Sequence, residues 1–132
     1  MPYELVSTSG TLAHFRMSGI LTLSDITGVL GKLDELEVAS TATPCRLIDI
    51  SAVEDIVLNF AAMHDFAAKR GQVRLHSETA VAIVAATEMH YGCARMFQMV
   101  NQQKQTKVEI FRNLASARDW LSTPSGSADR PA

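Results

Sequence analysis

Apolar residues recur with two different periods along this chain, and the switching between them predicts its architecture. Residues 3–8 (YELVST) and 11–17 (TLAHFRM) are β-prone runs separated by Ser9-Gly10, a dipeptide that signals a hairpin. In the second run Ala13, Phe15 and Met17 alternate with Leu12, His14 and Arg16. Phe15 and its partners are expected to face the core, His14 to lie on the outer face, and Gly19 to end the strand. The period then changes to helical. Ile26, Val29, Leu30, Leu33 and Leu36 follow Ser24, the expected N-cap, with Asp25 in the positive first turn. Gly28 and Gly31 weaken this helix by about 1 kcal/mol each relative to alanine, unless they permit close packing on a sheet.

After a polar connector over 39–44, CRLIDI at 45–50 reads as a short strand. Its adjacent Leu47 and Ile48 make it apolar on both faces, which places it centrally in a sheet covered on both sides. Asn59 is expected to cap a helix over 60–70, with Met63, Phe66 and Ala67 inward and Gly71 as its stop. TAVAIVAA at 79–86 is a buried strand by length and β-branched content. Residues 88–103 repeat helically, with Met89, Cys93, Met96, Phe97 and Val100 on one face and Met99 partly off it, toward solvent. A last strand at 108–111 precedes Asn113, the expected cap of a closing helix seated by Leu114, Ala117, Trp120 and Leu121 and stopped by Pro124.

The element order is therefore ββαβαβαβα. Strands joined through helices run mostly parallel, and the opening hairpin adds one antiparallel strand. The predicted fold class is α/β: a single-layer, five-stranded, mixed and mostly parallel sheet with about four helices. One domain over 1–122 is expected, followed by a Ser/Gly/Pro-rich tail over 123–132 expected to be disordered.

Composition narrows the function. A chain of 132 residues buries about two thirds of its unfolded surface and needs no disulfide or metal staple. A net charge of −2 gives no electrostatic reason to bind nucleic acid. No apolar run is long enough for a membrane span, and the first residues lack the regions of a signal peptide. Cys45 and Cys93 form no CxxC pair, so reduced thiols in a cytoplasmic protein are expected.

Three stretches carry a resemblance: Ser18-Gly19-Ile20-Leu21-Thr22 leading to Asp25, Ala94-Arg95-Met96-Phe97, and Ile110-Phe111-Arg112-Asn113 with Ala117 and Trp120-Leu121. On these and the element order, over about residues 3 to 122, the chain resembles the SpoIIAA-like family, a branch of the STAS superfamily that shares its core with CRAL-TRIO lipid-carrier domains. The resemblance implies a small cytoplasmic domain without its own catalytic centre, used for interaction or ligand binding. STAS relatives in anti-anti-sigma systems carry a phosphorylatable serine after the third strand. Leu47-Ile48-Asp49-Ile50-Ser51 looks like that strand, but the following segment reads Ile56-Val57-Leu58-Asn59-Phe60, so the switch serine is missing.

Ligands of parallel α/β sheets sit beyond the carboxyl ends of the strands. Asp49, Ser51 and His90 belong to that edge, and Asn59 and Glu88 stand at helix N-termini, which favour anions. Turns and helix caps use the same residue types routinely. Met96 and Met99 flank Phe97 and suit either an adaptable apolar groove or ordinary packing. Arg95 offers a bidentate grip on an anionic head group, or else extends over the helix surface toward Glu88. These eight residues are the candidate ligand site. No histidine has metal-ligand spacing, no cofactor is implied, and Ser51 lacks the G-x-S-x-G context of a nucleophile. The expected function is a non-enzymatic regulatory or protein-interaction module, with another protein or a second copy as partner. The alternative is a carrier or sensor of a small apolar, amphipathic or anionic ligand. A hydrolase using Asp49, Ser51 and His90 is the minor one.

Overall fold

The computed structural model describes residues 3–8 and 11–122. The Ser9-Gly10 turn, Pro124 and the 123–132 tail lie outside the described residues. Nine elements follow in the expected order: β1 (Tyr3–Thr8), β2 (Leu12–Thr22), α1 (Leu23–Ala39), β3 (Cys45–Val57), α2 (Phe60–Arg70), β4 (Thr79–Val84), α3 (Glu88–Val100), β5 (Thr106–Phe111) and α4 (Leu114–Ser122). The strands form one sheet in the order β1-β2-β3-β4-β5. The β1–β2 pair is antiparallel and the other three are parallel.

Strands laid down in chain order by crossovers of one hand send their helices to one face. Accordingly α1, α2 and α3 share a core with that face of the sheet: Ile26, Val29 and Leu33, Met63, and Cys93 and Ala94 cluster with Phe15, Ile50 and Ile83. Only α4 covers the second face among the described helices, where Ala117 and Trp120 pack on Leu47, Ala80, Ala82 and Val84. Burial of Ala13, Phe15 and Met17 follows the expected alternation. His14, expected outside, is 2% exposed, because its side of β2 lies under α4. Arg118 of α4 stands 3.3 Å from its Nδ1. Burial, and then the neighbouring positive charge of Arg118, hold its pKa below the ordinary histidine value.

Two strands run further than their text suggests. β2 does not stop at Gly19 but passes through it with φ +69°, at a bulge opposite Val53 and Asp55, and continues to Thr22. β3 pairs with β4 only over Arg46–Asp49, yet stays paired to β2 as far as Val57. The two strands thus project beyond the sheet as a ribbon.

The first helix begins two residues earlier than expected. Its N-cap is Thr22, not Ser24. The Thr22 N–H donates to Asp25 Oδ2 at 3.0 Å, and the Asp25 N–H donates back to Thr22 Oγ1 at 3.4 Å. Thr22→Ala is expected to lose about 1 kcal/mol of stability, read as a lower urea midpoint at unchanged slope. Gly28 faces the Tyr3 ring of β1, and a methyl group there would overlap it, so this glycine does permit close packing. Gly31 has open space around it and no such role. Asn59 and Asn113 cap α2 and α4 as expected, accepting from the N–H groups of Ala62 and Ser116. In α3 the cap is Thr87, and Met89 is exposed instead of inward; His90 takes the buried position.

Candidate functional site

The α1–α3 helices do not close fully onto the sheet. Between them lies a cavity of about 180 Å³. Leu21, Ile26 and Leu33 wall it on one side, Met63 and Phe66 of α2 above, and Phe97 and Val100 of α3 on the other. Its floor is the sheet itself, through Ile48, Ile50, Ile83 and Val108. An apolar void of roughly 150 Å³ is large enough to take up benzene, and this one, which is partly open, has a similar volume.

Polar groups enter only toward the amino ends of the parallel strands. They are Arg46 near the start of β3, Arg70 at the end of α2, Asn101 and Gln103 after α3, and Thr106 at the start of β5. Side-chain amides tie the irregular segments together there. Gln103 Nε2 donates to the carbonyls of Arg70 and Val73, and Gln105 exchanges two hydrogen bonds with the main chain of Leu75, at 2.8 and 3.0 Å. Arg70 is paired with Asp34 at 3.2 Å.

Arg46 is different. The alternation of β3 that turns Leu47 to α4 turns Arg46, with Ile48 and Ile50, into the cavity. It is 5% exposed, and its Nε is buried without a hydrogen-bond partner. No ion pair among the described residues includes it. Burial, and then the charge of Arg70, hold its pKa below the ordinary guanidinium value, while Glu37 and Asp34 oppose them. Guanidinium nonetheless stays charged in proteins. The Thr106 hydroxyl, which also lines the cavity, is likewise buried without a hydrogen-bond partner.

None of the eight residues expected to hold a ligand lines this cavity. Asp49 and Ser51 lie within β3, where Asp49 Oδ1 accepts from the Ser51 N–H at 2.9 Å. Asn59 caps α2. Glu88 pairs with Arg112 at 3.2 Å, and Arg112 also covers the Tyr91 ring at 4.5 Å. Arg95 therefore does not reach Glu88; it donates to Gln98 on its own helix. Met96 is half-buried against the core, and Met99 is 71% exposed. His90 is buried, with Nδ1 accepting from the Thr87 N–H at 3.3 Å and Nε2 facing the Val53 carbonyl at 2.8 Å. That pattern suits a neutral ring protonated on Nε2, and it leaves neither nitrogen to accept a proton from Ser51. Cys93 is buried and its thiol is pushed up to about 11, so it is a packing residue and not a nucleophile.

Among the described residues no three His, Cys, Asp or Glu side chains gather as a metal site, and no helix is long and apolar enough to cross a membrane. No protein-family model and no curated protein matches the sequence. Among solved structures, the chain is similar to an uncharacterized protein of the DUF3478 family from Shewanella loihica PV-4, described as having a SpoIIAA-like fold. The two share 22% identity over 90% of this chain and 91% of that one, with a TM-score of 0.56. Element order, sheet topology and this likeness together give the chain a SpoIIAA-like fold.

Proposed function

We propose that this protein is a non-enzymatic module that carries or senses a small, largely apolar molecule held between the sheet and the helices α1–α3. The supporting observation is the cavity of about 180 Å³, walled by aliphatic, methionine and phenylalanine side chains. Binding pockets of small molecules are concave, mostly apolar and few per protein. Octanol suits as a first probe because its flexible chain adapts to an irregular void. Titration is expected to give saturable one-to-one binding, with methyl NMR shifts concentrated on Ile48, Ile83 and Val108. At a free concentration of 100 times Kd it stabilises the fold by about 2.7 kcal/mol. Absence of saturable binding by both octanol and its carboxylate counterpart, octanoate, would sink this reading.

A second reading, a regulatory module that works through another protein or a second copy in the cytoplasm, is favoured by the ribbon of β2 and β3. Ile20 and Val57 share its outward side, since Ile20 stands opposite Asp55 and Thr22 opposite Val57. They are 56% and 61% exposed, and Phe60 just beyond is 59% exposed. Asn59, in the neighbourhood where STAS relatives carry a switch serine, serves here as a helix cap, so this reading involves no phosphorylation at that position. Native mass spectrometry distinguishes the two readings, because it reports subunit number and retained ligand together.

A further inference from the structure

We infer that the ligand of the cavity is a monoanion, a carboxylate with a short apolar body, and that Arg46 binds its head group with the Thr106 hydroxyl as a second donor. The inference rests on the cavity being a ligand site and adds the chemical class. A charged side chain is rarely buried without a partner, because removal from water costs several kcal/mol per ion unless an opposite charge and hydrogen bonds replace the lost hydration. Arg46 is 5% exposed, lines a mostly apolar cavity, and has an orphaned Nε. Neither nearby carboxylate forms an ion pair with Arg46 among the described residues. Asp34 pairs with Arg70. One Glu37 oxygen accepts from the Thr43 hydroxyl at 3.1 Å and the His76 N–H at 2.6 Å; the other, Oε1, is buried without a hydrogen-bond partner, and the Glu37 charge acts on Arg46 from beyond ion-pair distance.

The donor set also fixes the charge and shape of the head group. A guanidinium is a planar fork that matches a carboxylate through two parallel N–H···O bonds. A single guanidinium and a single hydroxyl suit one negative charge; a dianionic phosphate would call for more donors. The second arginine on the cavity, Arg70, already pairs with Asp34. The walls beyond the cation offer only aliphatic, thioether and aromatic contacts, so the remainder of the ligand is hydrocarbon. Arg46 lies near the amino-terminal end of β3, which orients the ligand with its head toward the Leu75–Gln105 strap and its tail toward Leu21 and Ile26.

Octanoate and octanol, which share a chain and differ in the head group, test this at neutral pH by calorimetry on the full chain. The expected result is that octanoate binds at least tenfold tighter than octanol. In Arg46→Met the order reverses, because the carboxylate is then desolvated without a partner, while octanol binding is kept. Thr106→Val is expected to weaken octanoate severalfold and leave octanol unchanged, which provides a readout should the Arg46 variant fail to fold. Equal binding of both probes to the parent protein overturns the anion assignment and leaves the cavity reading standing. Retained preference for octanoate in Arg46→Met overturns the role of Arg46. Binding of neither probe removes the cavity reading, and this inference with it.

Discussion

Trp120→Ala is expected to cost about 3–5 kcal/mol of stability, the range for emptying a large aromatic site in a core. Trp120 is 7% exposed and packs its ring 5.6 Å from that of Phe111. Beneath it lie Ala80 and Ala82 of β4, which have no rotamers with which to fill a void. The site therefore cannot collapse, and the cost belongs at the upper end of the range. Since α4 is the single described helix on its face, losing its anchor also exposes Leu47 and Val84. A urea titration measures the loss, and dye binding to the bared strands gives a second signal. A variant within about 1 kcal/mol of the parent would mean that α4 is not held in this way.

Arg46→Met is expected to act in the opposite direction, raising the stability of the ligand-free protein by about 1–4 kcal/mol. Replacing buried charge with apolar volume commonly has that effect, because the desolvation penalty disappears. Methionine is close in length to the apolar stem of Arg46, which shares the cavity wall with Ile48 and Val81, and adapts to an irregular wall. The check is the thermal midpoint, which should rise by several degrees. A fall of similar size would show that the guanidinium holds a partner when no ligand is present. Should the variant prove both more stable and unable to prefer octanoate, Arg46 is a residue kept for binding at the expense of stability.

The order of elements could be read from periodicity because each element buries one stripe or one face. Ile26, Val29 and Leu33, or Ala13, Phe15 and Met17, announce their own geometry. Three features could not be read that way. The ribbon of β2 and β3 carries turn-like text, Ser18-Gly19 and Ser51-Ala52, and is a strand only because each half pairs with the other. His14 looks like the wet side of a hairpin until α4, a hundred residues later, lies over it. Arg46 resembles any solvated charge at a strand start. Its burial depends on how far three helices stand from the sheet, a distance that no single segment encodes. The expected site residues followed a rule about strand carboxyl ends, whereas the cavity receives its polar groups from the amino ends.

The two faces of the sheet also differ in when they are completed. The helices of the cavity face are interleaved with the strands, so from β3 onward each new strand follows a helix of that face. The second face receives its only described helix last, after β5. A nascent chain that has released Phe111 but not Ser122 therefore holds a finished sheet with Leu47, Ala80, Ala82 and Val84 bare on one side. Transiently exposed apolar strands of this kind are prone to aggregate. Truncation inside α4 is therefore expected to leave that face bare and to favour aggregation.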